Sequence, residues 1–214
     1  MVALTTSLAL PARRPVLAES LPTVLTRSGV TIVLGAALTA LAAQVSIPVP
    51  GSPVPITGQT FAVLLTAAAL GPLRGLASQG LYLALGLVGL PVFAGAAHGP
   101  HVVFGASGGY LVGFLVAAAI VGAGARRGAD RSPVRTLLLF ALATVVIYAI
   151  GTAWLCLDTG MSASAGIAAG VTPFIPGDVG KALLAAGLLP GTWRLLGRGA
   201  SADAADAADA AGAR

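Results

Sequence analysis

The chain of 214 residues is 57% hydrophobic and only 9% charged, with a net charge of +5 and a mean hydropathy of +0.93. Soluble domains carry about 25% charged residues because water must wet their surface, so this chain has too few charges to cover a globule and must be solvated by lipid. An isoelectric point near 10.4 does not mark a nucleic-acid binder, because the basic residues are spread over chain ends and loops. In lipid the backbone must satisfy its own hydrogen bonds, as helices or as a closed barrel. The unbroken apolar runs from Leu111 to Gly124 and from Thr136 to Leu157 lack the roughly ten-residue alternating pattern of barrel strands. The predicted class is an all-α integral membrane protein.

Residues 1–28 read as a retained cytosolic tail. Arg13 and Arg14 are there, but Pro15, Glu19 and Pro22 interrupt any signal-peptide core. A membrane domain is expected over 29–197, with six transmembrane helices near 29–47, 58–71, 75–90, 106–124, 134–157 and 177–196. The second and third are short against the roughly 20 residues of a full span, so tilting or extension into the loops must supply the rest. The proline-rich stretch from Ile47 to Ile56 cannot be ordinary helix. Gly71-Pro72 separates the second helix from the third. Cys156 is the single cysteine, so no intramolecular disulfide is possible. An Ala/Asp repeat over 198–214, with Asp203, Asp206 and Asp209, reads as a solvated cytosolic tail.

Orientation follows from the loops that carry arginine. Arg13, Arg14 and Arg27 precede the first helix, and Arg74 lies between the second and third. Arg126, Arg127, Arg131 and Arg135 lie between the fourth and fifth, while Arg194, Arg198 and Arg214 follow the sixth. Six spans put all of these on one side, which the rule makes the cytoplasm, with both termini inside.

Lys181 breaks the pattern. It follows Phe174-Ile-Pro-Gly-Asp178 at the outer start of the sixth helix, and a spacing of three puts Asp178 and Lys181 on one helix face. Ionisable groups at membrane depth are costly unless paired or facing a cavity, so the pair is a candidate site. The plainer alternative is an Asp178 helix cap neutralised by Lys181. The pair suits a ligand that carries N–H donors together with an acceptor or anionic group. Further polar candidates on the outer side are Thr57, Gln59 and Thr60, then Phe93, His98, His101, Ser107 and Tyr110. Glycines at 95, 99, 105, 108 and 109 allow tight backbone or close ligand approach; flexible turns are the competing reading, above all around the two histidines. Those histidines have no third ligand nearby, and no metal site is predicted. The first helix carries small-residue pairs, Ala36/Ala40 and Thr39/Ala43, which suit close packing either within the chain or against a partner subunit.

No P-loop is present. The nearest match, Gly177-Asp-Val-Gly-Lys181, has the wrong spacing and is followed by Ala182. Energy for active transport would have to come from another subunit or an ion gradient.

Four blocks then resemble a known family. Pro53-Val-Pro-Ile-Thr-Gly-Gln59, Leu81 to Phe93, Gly108-Gly-Tyr-Leu111 and Phe174 to Asp178 with Lys181 resemble BioY proteins, the biotin-binding S components of energy-coupling-factor (ECF) transporters. The resemblance runs over about residues 29–196. It implies the six-helix S-component fold, an outward-facing biotin site and a place in the bacterial cytoplasmic membrane. It also implies partnership with a transmembrane T component and two cytosolic ATPases, which alone would use ATP, though the family includes members thought to work without that module. The face at Ala36 and Ala40 resembles the surface offered to the T component. The site implied comprises Asp178, Lys181, Thr57, Gln59, Phe93, Gly109 and Tyr110. Asp178 would meet a ureido N–H, Lys181 the ureido oxygen or the carboxylate, and Phe93 and Tyr110 the bicyclic ring. One departure is Gly105-Ala-Ser107, where a Gly-Pro-Thr-like sequence is expected.

The rivals are an S component for another vitamin, a passive channel and an enzyme. Gly105-Ala-Ser-Gly108 matches the nucleophile motif of rhomboid-like intramembrane serine proteases. That chemistry needs a histidine base within reach of the serine, and no histidine falls on the sixth helix. No catalytic activity and no cofactor of its own are expected.

Overall fold

The computed structural model describes residues 14–20 and 28–212, with side chains placed up to residue 197. Most of the expected N-terminal tail, and the topology signals Arg13, Arg27 and Arg214, lie outside the described residues. Among the described residues eight α-helices follow one another: α1 Ser28–Gln44, α2 Gln59–Leu70, α3 Pro72–Leu87, α4 Pro100–Val103, α5 Gly108–Arg126, α6 Pro133–Thr159, α7 Ala163–Gly170 and α8 Ile175–Gly212. Six of them, all but α4 and α7, correspond to the predicted apolar segments. Of these, α5 and α6 are long and apolar enough to cross a membrane, while α1 and α2 are apolar but shorter.

Proline and glycine set the boundaries. α1 stops before the proline-rich stretch, which instead forms a hairpin: β1 (Ser46–Ile47) pairs antiparallel with β2 (Ile56–Thr57), Ser46 opposite Thr57. Gly71, at φ 81°, ends α2 by donating to the Ala67 carbonyl, and Pro72 opens α3 at its first turn, where its missing N–H is not needed. Pro133 opens α6 in the same way, and Gly160 closes it in the left-handed conformation. The helix of the sixth segment does not stop at 196. α8 runs on as helix through the Ala/Asp tail to Gly212, with Pro190 inside it.

α5 lies centrally, packed against α2, α3 and α6, while α1 packs on α2 and α3, and α8 on α6 and α2. Small residues make the close approaches. A Cβ at Gly113 would sit 3.0 Å from the Ile147 Cα of α6, and one at Gly122 would overlap the Gly71-Pro72 turn. Polar side chains collect inside: Thr31, Thr39, Thr66, Ser78 and Gln79 are buried, and Gln79 Nε2 donates to Thr39 Oγ1 at 3.2 Å. Apolar ones face outward, among them Leu34, Leu38 and Leu41 of α1, Leu138 and Leu142 of α6, and Leu183 and Leu184 of α8. The interior is still mainly apolar, so what marks the outer surface is its row of exposed leucines, which a hydrocarbon solvent tolerates and water does not.

The small-residue face of α1 points into the bundle. Ala36 is 2% exposed, and Ala40, partly buried, packs against the same core. Gly35 is the reason α1 can lie so close, since a Cβ there would come within 2.5 Å of Ser78 Oγ. The large apolar side chains α1 leaves outside are Val30, Val33, Leu34, Leu38 and Leu41.

At the end of the bundle where α5 finishes, the segment 14–20 is tied down. Arg14 N donates to the Arg126 carbonyl at 3.0 Å, Arg131 Nη2 to the Pro15 carbonyl at 3.1 Å, and Arg126 binds both Glu19 oxygens, at 2.9 and 2.6 Å. Val16 is fully buried beneath. α8 is pinned at this end as well: Trp193 Nε1 donates to Asp130 Oδ2, and the Arg131 guanidinium lies 4.1 Å over the Trp193 ring. Burial pushes the Asp130 carboxyl above its usual range.

Candidate functional site

At the opposite end, a cavity of about 310 Å³ opens among the hairpin, the α3–α5 connection and the starts of α2, α5 and α8. That volume suits a small organic molecule, for which sites run from about 300 to 1,000 Å³. Thr57, Gln59, Phe93, Tyr110, Asp178 and Lys181 all line it. Gly109 does not. It faces α6, where an added Cβ would overlap the Trp154 Cβ and come 2.7 Å from the Ile150 carbonyl oxygen. There it packs closely against α6.

One end of the cavity is polar. Asp178 and Lys181 lie in the first two turns of α8 and pair at 2.7 Å. Lys181 Nζ also donates to the Thr57 carbonyl at 2.7 Å and to Thr60 Oγ1 at 2.8 Å. These three bonds use all of its N–H groups. Asp178 Oδ1 accepts from Lys181 and from Thr60 Oγ1 at 3.0 Å, and Oδ2 accepts from the Tyr148 hydroxyl at 2.7 Å. Oδ2 therefore keeps one lone-pair direction without a protein donor among the described residues. Thr57 and Gln59 support each other, with Thr57 Oγ1 donating to Gln59 Oε1 at 2.8 Å and Gln59 Nε2 to the Tyr82 hydroxyl.

The rest of the wall is apolar and aromatic. Phe93 rests face-on over Gly86, where any Cβ would overlap its ring, and meets Tyr82 edge-on at 5.5 Å. Its backbone is stapled by Gln44: Nε2 donates to the Phe93 carbonyl at 3.3 Å, and Ala96 N donates to Oε1 at 3.1 Å. Tyr110 lies over Gly151 and donates to the Gly170 carbonyl at 2.7 Å, tethering the end of α7. Phe174 sits between Tyr110 and Tyr148, with centroids 6.4 and 6.5 Å away. Leu111, Phe114 and Ile147 complete the lining.

Sequence reasoning did not place Tyr148, Phe174 or Gln44 here, nor assign Thr60 to the site. Tyr148 lies 30 residues before Asp178, in the middle of an apolar run, with no spacing to connect them. Phe174 did stand inside a noted block, and its wall position follows from the turn that places Asp178.

Comparison with known proteins bears on the chain as a whole. Residues 12–198 match the family model described as the BioY family. The "Probable biotin transporter BioY" of Pyrococcus horikoshii is 39% identical over 154 residues, which cover 72% of this chain and 88% of that protein. The "Biotin transporter BioY2" of Lactococcus lactis subsp. cremoris is 35% identical, covering 72% and 82%. A crystal structure described as the S-component for biotin from an ECF-type ABC transporter superposes with a TM-score of 0.72 at 25% identity, covering 79% of this chain and 92% of the other. With residues 12–198 matched and the fold shared, the chain belongs to the BioY family.

Proposed function

We propose that this protein binds biotin at the outer end of a six-span bundle and serves as the substrate-specific subunit of an ECF-type transporter. The observation that carries the reading is an apolar, aromatic-walled cavity ending in a carboxylate, Asp178 Oδ2, with a free acceptor direction. Biotin offers the complement: ureido N–H donors at one end, an apolar thiophane ring, and a valerate tail. A ureido N–H meets Asp178 Oδ2, and Phe93, Tyr110 and Phe174 enclose the ring. The second amide N–H of Gln59 is the nearby donor for the ureido oxygen. Lys181 acts chiefly on Asp178, since a direct bond to the ligand would have to replace one of its three existing bonds. The alternating arginine-rich connections support six spans with both termini in the bacterial cytoplasm. With no phosphate-binding loop in the chain, energy comes from a T component and two ATPases.

Calorimetry on purified protein in detergent tests the reading. Biotin should bind with nanomolar-class affinity, about −12 kcal/mol, without ATP, while thiamine and riboflavin give no heat. Absence of heat with biotin alongside a clear signal from another vitamin refutes it.

A further inference from the structure

The charged groups deep in the cavity cancel. Asp178 and Lys181 form one neutral pair, and Lys181 has no N–H left to give. A ligand carried as a carboxylate finds no free cation there, and an ionised carboxylate against apolar walls without a donor is costly. The lining holds one other basic side chain, His101 of α4. Its position follows from the backbone. Gly99, at φ 87°, turns the chain into Pro100 and α4, and the imidazole lies back over that glycine, where an added Cβ would come 3.4 Å from Nδ1. The residue is exposed, and its ring has no hydrogen-bond or ion-pair partner among the described residues. His98 differs on both counts: its ring faces the Ala96 carbonyl at 3.4 Å, and it is not on the lining.

We propose that His101 is a specificity-determining residue that binds the ligand's carboxylate at the cavity mouth, so that the ligand lies with its N–H donors inward and its anionic end at the water. The proposal rests on the biotin reading and adds the group that selects an acid over its neutral analogues. Imidazole offers an N–H whether neutral or protonated, and an ionised acceptor makes the bond charge-assisted. Because the site is exposed, the gain is modest, up to about fivefold in affinity. Ser107, the other polar side chain of this turn on the lining, is the competing donor.

The test is calorimetric titration of the full chain, its His101→Gln variant and its Ser107→Ala variant with biotin and with biotin carboxamide. Wild type should prefer the acid, His101→Gln should weaken biotin about fivefold while leaving the carboxamide unchanged, and Ser107→Ala should leave the preference intact. Equal losses on both ligands in His101→Gln, an unaltered preference in that variant, or a preference lost in Ser107→Ala instead would each overturn the assignment. Wild type that binds neither ligand would sink the biotin reading itself, an outcome distinct from the other three.

Discussion

Replacing Asp178 by Asn changes one oxygen for an amide and leaves every other contact in reach. The carboxylate accepts from three donors, Lys181, Thr60 and Tyr148, and an amide has only one acceptor oxygen. If that oxygen faces Lys181 and Thr60, the amide N–H₂ faces the Tyr148 hydroxyl and the ligand position, where a ureido N–H would now meet another donor. Loss of a partner from a buried ion pair costs about 3–5 kcal/mol. Lys181 keeps 23% of its side chain exposed, so water recovers part of this, and about 2 kcal/mol is a better figure for screened charge. On the scale of 1.4 kcal/mol per decade, that is roughly 30-fold in affinity. Lys181→Ala should fall in the same range, because it leaves Asp178 without its charge partner. Biotin affinity by calorimetry and melting temperature by fluorescence should be taken on one preparation of each variant. At least tenfold weaker binding by monodisperse protein supports the assignment. Unchanged affinity in both variants, with only the melting temperature lowered, would show that the pair merely caps α8 and would refute the reasoning.

Other substitutions separate site from scaffold. Tyr148→Phe removes one donor from Asp178 Oδ2, worth about 1 kcal/mol, and should weaken biotin about fivefold in the same titration. Gln44→Ala unfastens the Phe93 backbone and should speed biotin release about threefold in stopped-flow, from the partial loss of roughly 1 kcal/mol of hydrogen bonding. Gly109→Val forces a branched side chain into Trp154 and the Ile150 carbonyl. It should lower the melting temperature by several degrees, as overpacking costs of about 1–3 kcal/mol do, with the affinity of the surviving protein kept. Glu19 supplies the pH dependence. Its hydrogen bonds to Arg126 hold the carboxyl below its ordinary value of 4.5, so its contribution is complete above that value and is lost as pH falls through the lowered one. The melting temperature should therefore drop below about pH 4.5, and Glu19→Gln should flatten that part of the profile.

Much of this was open to reading in the chain because lipid leaves few choices. Where charge is scarce, the lone lysine among outward loops stood out, and its three-residue spacing from Asp178 placed both on one face. The proline-rich stretch and Gly71-Pro72 broke the helices where they were expected to, since a missing N–H and a positive φ act locally. What stayed hidden depended on which way a helix turns. The small-residue spacing at Ala36 suits internal packing and a partner equally, because an Ala-rich helix carries no amphipathic signal to say which side faces in. Gly109 stands beside a lining residue, Tyr110, and one position around a helix is enough to turn it toward Trp154. Tyr148 joined Asp178 through packing of α6 on α8, which no local pattern encodes.

α8 also has a mechanical character. From Asp178 to Trp193 it advances fifteen residues (193 minus 178), about 22 Å at 1.5 Å each, so one rod joins the polar end of the cavity to the pin at Asp130. Pro190 falls one turn short of Trp193 and removes the bond its N–H would have made to the Ala186 carbonyl, which softens a helix at that point. The missing bond thus lies beside the Trp193 clamp and away from Asp178 and Lys181. Bending of α8 between the cavity and the Asp130 pin is therefore easiest at Pro190.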